Sequence, residues 1–193
     1  MDSLQRAYED RPDDELIVGA ARGDTRAFDA IVARHGAFAL RVARRLLSDH
    51  SLAQDVVQEA MIRAWTRSKH FNARRARLTT WLYRIVVNLC IDYRRRARSE
   101  PTPVGFDPMD PTAQVSEEIE AAELRLALER ALDELPRRQR AAMTLVYAEG
   151  LSGAEAGRVL GVSAKAVERL LARARALIRE RLADPAEGSM GSR

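Results

Sequence analysis

The segment TWLYRIVVNLCIDYRRRAR, residues 80–98, restricts the possible folds of this chain more than any other stretch. Its polar side chains Arg84, Asn88 and Asp92 recur at four-residue steps, while apolar side chains recur on the opposite side, as in a two-faced helix. A membrane span needs about 20 apolar residues with few charges, so these polar residues exclude membrane insertion. One face is therefore predicted to be core, and the other is predicted to face a partner.

Helical periodicity continues along most of the chain, and strand-like alternation is almost absent. The 193 residues include only 10 glycines and 7 prolines, and four of the prolines cluster within 99–119. We therefore predict an all-α fold of two small helical domains, residues 13–98 and 120–183, joined by a flexible acidic linker at 99–119. A terminal segment rich in small and polar residues, 184–193, is expected to be disordered.

Charge is distributed in blocks, although the net charge is only +4. Residues 67–98 carry 10 basic side chains and 1 acidic one. Residues 99–120 carry 6 acidic side chains and no basic one, and residues 137–181 carry 10 basic and 4 acidic side chains. Two basic blocks on separate units indicate two contacts with a polyanion, most often nucleic acid, because neutralised phosphates release counterions. Arginine-rich faces that are merely solvated remain the alternative.

The cysteine content and the N-terminal sequence indicate in which cellular compartment the protein is expected. Cys90 is the single cysteine, which excludes an intramolecular disulfide framework. No apolar N-terminal segment precedes a cleavage site, so the cytoplasm is the expected location. Because Cys90 lies beside the apolar stripe of its helix, we predict a packed thiol rather than a redox switch.

A second amphipathic helix is predicted in SLAQDVVQEAMIRAW, residues 51–65, where Ser51 and Gln54 have capping-box spacing. An apolar stripe should be buried, and the opposite face is acidic with one exposed apolar side chain, which suits docking on a basic partner surface. A simply solvated helix face is the alternative. The stripe consists of Leu52, Val56, Val57, Ala60, Met61, Ala64 and Trp65, and the acidic face of Asp55, Gln58, Glu59 and Ile62.

Upstream, the segment DDELIVGAARGDTRAF predicts a short helix that closes near Gly23. Asp24 is then positioned to cap the next helix.

The segment LSGAEAGRVLGVSAKAVERLLARARALI, residues 151–178, has helix-turn-helix spacing. Ser152 and Glu155 form a capping box, Gly161 permits a tight turn, and Ser163 caps a second helix. Gly157, which costs about 1 kcal/mol relative to alanine in an exposed helix, predicts that the two helices cross closely.

The second of these helices should separate a buried stripe from a polar outer side. In helix-turn-helix proteins its N-terminal half enters the major groove of DNA, whereas an ordinary helical hairpin would bind nothing there. The stripe comprises Val167, Leu170, Leu171, Ala174, Leu177 and Ile178, and the outer side comprises Lys165, Glu168, Arg169 and Arg173.

Taken in order, five segments over residues 13–183 resemble the bacterial extracytoplasmic-function (ECF) group of sigma factors, in the sigma-70 family. They are GDTRAF, AQDVVQEAMIRAW, LTTWLYRIVVNLCIDYRRR, LDELPRRQRAAMTLVYAEGLS and LLARARALIR. The resemblance implies sigma domain two and sigma domain four without the intervening domain of larger factors. It also implies a factor that binds core RNA polymerase, directs promoter recognition and transcription initiation, and is controlled by an anti-sigma factor.

Site residues follow from the resemblance by position. The acidic face Asp55, Gln58, Glu59 and Ile62 matches the surface that docks on core polymerase. The residues implied for the minus-10 element are Arg74, Arg75, Arg77, Trp81, Asn88, Asp92 and Arg95. Those implied for the minus-35 element are Ser163, Lys165, Glu168, Arg169 and Arg173. For Asn88, Asp92 and Arg95, a local hydrogen-bonding scaffold is the alternative to base contact.

The chain departs from the family pattern in the recognition helix. Where the family commonly has Thr, Lys, Ser and Arg, this sequence has Ala166, Glu168, Arg169 and Leu170. Glu168 can accept from a cytosine amino group and Arg169 can read a guanine, so the base preference is expected to differ from the commonest one.

Two other functions are alternatives to a sigma factor. An enzyme acting on nucleic acid is disfavoured because the sequence lacks P-loop, HExxH and clustered Cys/His spacing, so no catalytic residue, metal or cofactor is expected. A stand-alone helix-turn-helix repressor or activator is the closer rival. It would bind DNA without core polymerase, whereas the motifs of the first domain favour polymerase dependence.

Overall fold

The computed structural model describes residues 7–47, 49–74, 76–99 and 117–183. Within these ranges all regular structure is helical, which confirms the predicted all-α fold. The predicted linker falls largely on residues 100–116 and the predicted tail on 184–193, and both segments lie outside the described ranges. The main helices are α1 Asp13–Ala21, α2 Thr25–Leu46, α3 His50–Arg67, α4 Leu78–Ser99, α5 Glu117–Glu134, α6 Arg137–Met143, α7 Gly153–Leu160 and α8 Ala164–Ala183.

The N-terminal half, here residues 7–99, is a bundle in which α2, α3 and α4 pack on one another and α1 packs on α2. Each helix contributes apolar side chains to the shared core, and burial of each stabilises by roughly 1.5–3 kcal/mol relative to exposure. Among the most deeply buried are Leu16, Ile31, Val42, Val56 and Val86. Of the described helices, none combines the length and the apolar character that crossing a membrane requires.

The junction between α1 and α2 has the predicted geometry. Gly23 takes a left-handed φ of 91°, and the Asp24 side chain accepts from the Ala27 backbone amide at 3.2 Å. This backbone hydrogen bond is the main reason why the pKa of Asp24 lies below its usual range, with a smaller contribution from the Tyr8 hydroxyl. The short turn therefore fixes where α2 begins.

The start of α3 differs from the prediction. The helix begins at His50, and its N-cap is Asp49, whose carboxylate accepts from the Leu52 backbone amide at 3.0 Å. The predicted Ser51–Gln54 capping box is therefore wrong, because an equally good acceptor two residues earlier already caps the helix. The predicted apolar stripe is confirmed, since Val56, Ala60, Met61 and Ala64 are buried and the rest are half-buried.

A hydrogen-bonded group ties α1 and α4 to α2. His35 is buried, and its Nε2 lies 3.0 Å from an Asp13 carboxylate oxygen while its Nδ1 lies 3.4 Å from the Tyr83 hydroxyl. Arg34 donates to the other Asp13 oxygen at 2.5 Å. Burial, chiefly, raises the pKa of Tyr83 to about 12.

The C-terminal half, here residues 117–183, comprises α5 to α8. A π turn, Thr144–Ala148, links α6 to the loop before α7, and the amide of Glu149, the residue after it, donates to the Thr144 carbonyl at 3.0 Å. Ala131 of α5 and Leu135, which directly follows this helix, pack with Ala174 and Ile178 of α8 in a separate small core. The helix-turn-helix is thereby supported from behind by α5 and α6.

The two halves are packed together, although the sequence analysis predicted two domains joined by a flexible linker. Helix α4 contacts α7, and α2 contacts the π turn. Leu145, Val159 and Val167 belong to the same hydrophobic core as Leu82 and Val86. The C-terminal half therefore packs against α2 and α4 of the N-terminal half.

Candidate functional site

The acidic face predicted on α3 is present. Asp55 and Gln58 are exposed, and Ile62 has 56% of its surface exposed. Glu59 is half-buried, because it pairs with Arg63 and accepts from the Tyr93 hydroxyl at 3.2 Å. The face thus combines free carboxylate with apolar surface, and Glu59 also anchors α3 to α4.

The outer face of α4 carries the predicted polar side chains. Arg84 and Asn88 are exposed, while Asp92 and Arg95 form an ion pair at 3.5 Å on the same helix. The opposite face is core, as predicted, with Leu89 and Cys90 buried. Helix α4 begins at Leu78, two residues before the predicted start at Thr80, and Leu78 itself is buried.

The loop between α3 and α4 is basic and exposed. After a short 3-10 turn, Ser68–His70, the Asn72 side chain accepts from the Arg74 amide at 2.9 Å and turns the chain. Arg74 and Arg77 are exposed, and Arg75 lies outside the described residues. Trp81 is half-buried and packs on Phe71 with ring centroids 5.2 Å apart, so it supports the loop from beneath.

Beside this loop lies an open cavity of about 460 Å³. This volume falls within the range of about 300–1,000 Å³ that is usual for small-molecule sites. Its wall joins the loop to the start of α1, and its lining consists of Asp13, Asp14, Phe71, Ala73, Ala76, Arg77, Leu78 and Thr79.

The helix-turn-helix has the predicted local geometry. Ser152 and Glu155 form a full capping box at α7, Gly161 takes a left-handed φ of 69°, and the Ser163 hydroxyl accepts from the Ala166 amide at 3.2 Å. A methyl group on Gly157 would stand 2.7 Å from the Val162 carbonyl oxygen, so the turn packs directly on α7. The close approach predicted from that glycine is confirmed.

Four side chains project from α8 on the side away from its core. Val167, Leu171, Ala174 and Ile178 are buried beneath them. All four outer residues are exposed: Lys165, Glu168, Arg169 and Arg173. Since Ser163 caps α8, its hydroxyl has a structural role at the same end of the helix.

The sequence-based prediction missed the residues that join the two halves. Arg140 is buried and donates to the Arg45 carbonyl, and the Glu149 carboxylate pairs with Arg41 and Arg45. Their partners lie 95 to 108 positions away in the chain, so no spacing rule could have identified them.

Cys90 is fully buried in α4, and burial, chiefly, raises the pKa of its thiol to about 12. At pH 8 the fraction of Cys90 present as thiolate in the folded chain is therefore on the order of a thousandfold smaller than for a thiol with the usual pKa. We expect a disulfide reagent such as Ellman's to modify Cys90 at pH 8 only as the protein unfolds. Rapid stoichiometric modification of the folded chain would contradict the packed-thiol prediction.

Each half of the chain matches a known protein family. Residues 31–100 match Sigma-70 region 2, and residues 125–178 match Sigma-70, region 4. The ECF RNA polymerase sigma factor SigM of Mycobacterium tuberculosis is 38% identical over 167 residues, which cover 86% of this chain and 83% of SigM.

Two solved structures share the fold. A structure of CnrH in complex with the cytosolic domain of CnrY has a TM-score of 0.64 and 33% identity, covering 90% of this chain and 99% of that one. A structure of the sigma factor RpoE with the anti-sigma factor NepR from Bartonella quintana has a TM-score of 0.60 and 25% identity, covering 81% and 96%. The two helical units, the helix-turn-helix and these matches together show that the chain belongs to the ECF group of the sigma-70 family of RNA polymerase sigma factors.

Proposed function

We propose that this chain binds core RNA polymerase through α3 and directs it to promoters through two DNA-contacting surfaces. The observation that carries this proposal is the presence, in one chain, of an acidic and apolar face on α3, a basic loop before α4, and a capped helix-turn-helix. The proposed domain bounds are 13–98 and 120–183. The chain would act in the cytoplasm by binding rather than by catalysis.

Docking on polymerase is assigned to Asp55, Gln58, Glu59 and Ile62. A half-exposed isoleucine within an acidic face fits a partner surface that offers an apolar pocket and basic side chains. Because Glu59 is also bonded to Tyr93, Asp55 and Ile62 are the residues that a partner reaches most freely.

Minus-10 recognition is assigned to the loop and the outer face of α4, through Arg74, Arg75, Arg77, Trp81, Asn88, Asp92 and Arg95. Arginines on the exposed loop can hold backbone phosphates, and the cavity of about 460 Å³ offers space for a base taken out of the duplex. Trp81 serves mainly by supporting the loop through Phe71.

Minus-35 recognition is assigned to α8, through Ser163, Lys165, Glu168, Arg169 and Arg173. The exposed N-terminal part of a helix-turn-helix recognition helix enters the major groove, where Arg169 suits a guanine and Glu168 suits a cytosine amino group. Lys165 and Arg173 are suited to phosphate contacts that position the helix.

An anti-sigma factor is the proposed regulatory partner. Two structurally similar chains were solved with partners, CnrH with the cytosolic domain of CnrY and RpoE with the anti-sigma factor NepR. A partner that covers the α3 face of this chain would exclude polymerase by competition for one surface.

The polymerase contact is tested by Asp55→Lys combined with Ile62→Ser. Loss of an apolar anchor and a favourable charge should raise the dissociation constant for core polymerase about tenfold or more, equivalent to about 1.4 kcal/mol. The measurement is a binding titration with core enzyme, followed by promoter-directed transcription.

The matched control is Asp29→Lys combined with Val18→Ser, since Asp29 is exposed and Val18 has 48% of its surface exposed, but neither lies on the α3 face. The control should bind core polymerase as the wild type does. Equal affinity of both double variants would remove the α3 face from the proposed interface.

A further inference from the structure

Helix α1 forms one wall of the cavity that lies beside the basic loop. Asp13 and Asp14, in the first turn of α1, line this cavity of about 460 Å³ together with Phe71 and Arg77 of the loop. Helix α1 also packs on the 3-10 turn from which the loop leaves. The match to Sigma-70 region 2 covers residues 31–100, so it includes the loop but not α1. The match therefore assigns α1 no part in this cavity.

The two carboxylates of this wall differ in what they contact. Asp13 has partners on both oxygens, since Arg34 donates to one at 2.5 Å and His35 Nε2 lies 3.0 Å from the other. Asp14 is exposed, and within the part of the chain that the structure describes it has no hydrogen-bond or ion-pair partner. Asp13 therefore holds α1 against α2, and Asp14 offers a free carboxylate at the cavity.

The loop supplies the remaining chemistry of the cavity. Phe71 is half-buried, and its ring packs on Trp81 with ring centroids 5.2 Å apart. An aromatic ring that is held in this way can stack on a base, because every base has a π face. Arg77 is exposed and can hold a phosphate of the same strand. The aromatic ring, the guanidinium and the free carboxylate thus match the base plane, the phosphate and the hydrogen-bonding edge of one nucleotide.

A carboxylate discriminates among the bases by the hydrogen bonds that it can make. An ionised carboxylate only accepts hydrogen bonds, so it favours a base whose edge offers an amino group, as cytosine does through N4. Adenine and guanine also carry an exocyclic amino group. Thymine instead carries carbonyl oxygens on both sides of its N3–H, and these oxygens repel a carboxylate. Thymine is therefore the base that such a wall rejects.

We propose that Asp14 of α1 determines base preference in the minus-10 element by accepting a hydrogen bond from the exocyclic amino group of the base that enters the cavity. This inference rests on the proposed function, since it requires that a base leave the duplex beside the loop. The base stacks on Phe71, and a phosphate of the same strand pairs with Arg77. Promoters that this chain uses then carry an amino-bearing base, and not thymine, at that position.

The experiment removes the amino group and the carboxylate separately and together. The DNA is a promoter whose start site has been mapped with this holoenzyme, prepared as a fork junction with a single-stranded minus-10 element. At each amino-bearing minus-10 position the natural base is replaced by an analogue that lacks only the amino group: 2-pyrimidinone for cytosine, purine for adenine or hypoxanthine for guanine. The dissociation constant for each DNA is measured with holoenzyme that contains wild type or Asp14→Ala.

The expected result is coupling between Asp14 and the amino group at one position. There, loss of the amino group should weaken binding to wild-type holoenzyme about tenfold, equivalent to about 1.4 kcal/mol. Asp14→Ala should weaken binding to the natural base by a similar factor and should then not respond to the analogue, because the two partners of one hydrogen bond do not act independently. Asp14→Asn has an amide that can donate to a carbonyl, so it should bind thymine at that position more tightly than wild type does.

Glu15→Ala is the matched control. Glu15 is exposed and lies in the same first turn of α1, so the change alters the charge at the helix N-terminus equally, but Glu15 does not line the cavity. The control should respond to every analogue as the wild type does. Additive effects of Asp14→Ala and the analogue at every position would overturn the proposal, and so would an equal loss of response in Glu15→Ala.

Promoter opening separates this inference from the proposed function. Wild-type holoenzyme that neither opens a promoter nor shows any base preference in the minus-10 element would remove the proposed function itself. Promoter opening without coupling between Asp14 and an amino group would remove only the role of α1. Both Asp14 variants should keep the circular dichroism spectrum of the wild type, because this side chain is exposed.

Discussion

Replacing Gly157 with alanine is expected to destabilise the helix-turn-helix and to weaken minus-35 binding at least tenfold. The added methyl group would stand 2.7 Å from the Val162 carbonyl oxygen, which belongs to the rigid turn between α7 and α8. Overpacking of this kind costs about 1–3 kcal/mol, while alanine gains only about 1 kcal/mol in helix propensity. The turn must move, and α8 with it, so the reading surface shifts relative to α5 and α6.

Gly36→Ala is the matched control. Gly36 also lies inside a helix, α2, but a methyl group there would meet only the Val32 side chain, at 3.9 Å. The same chemical change should therefore stabilise the chain, by about 0.5–1 kcal/mol. Urea unfolding and minus-35 duplex binding measure both variants. An equally stabilising effect at Gly157 would show that the turn is not packed as described.

The second large effect is expected from Arg74→Ala combined with Arg77→Ala. Separating strands requires unstacking of bases, which costs a few kcal/mol, and the exposed loop arginines supply phosphate contacts that help to offset this cost. In holoenzyme the double variant should slow open-complex formation about tenfold or more, equivalent to at least about 1.4 kcal/mol. Closed-complex binding should change less. Permanganate reactivity of minus-10 thymines reports strand opening.

The control removes two other exposed arginines of the N-terminal half, Arg22 and Arg26. It lowers the net charge equally but lies at the α1–α2 junction, so opening should proceed at the wild-type rate. If the loop variant opened the promoter as fast as this control, the loop would be a solvated turn, and another surface would melt the DNA.

Local sequence determined where helices begin and end, and which side of each is apolar, wherever the contacts responsible join residues three or four positions apart. The caps at Asp24, Ser152 and Ser163 and the left-handed turns at Gly23 and Gly161 were predicted and are present. The start of α3 is the exception. Two side chains there, those of Asp49 and Ser51, could each accept a hydrogen bond as the N-cap, and Asp49 is the one that caps the helix. Spacing alone does not rank such neighbours.

Composition and order along the chain likewise determined the two basic surfaces and the acidic face of α3, since each is a property of a single helix or loop. Roles for individual residues on these surfaces remain predictions. Glu59 illustrates why, because its exposure is set by Tyr93, 34 positions away in the next helix of the bundle.

Only the tertiary structure decided that the two halves pack into one body. Arg140 reaches the Arg45 carbonyl across 95 positions, and Glu149 meets Arg45 across 104. Helical periodicity reports which side of a helix is apolar, but not which other apolar or charged surface covers it. An arginine on the surface and an arginine that caps a distant helix look alike in the sequence, because their difference lies in the carbonyls and carboxylates that the fold brings to them.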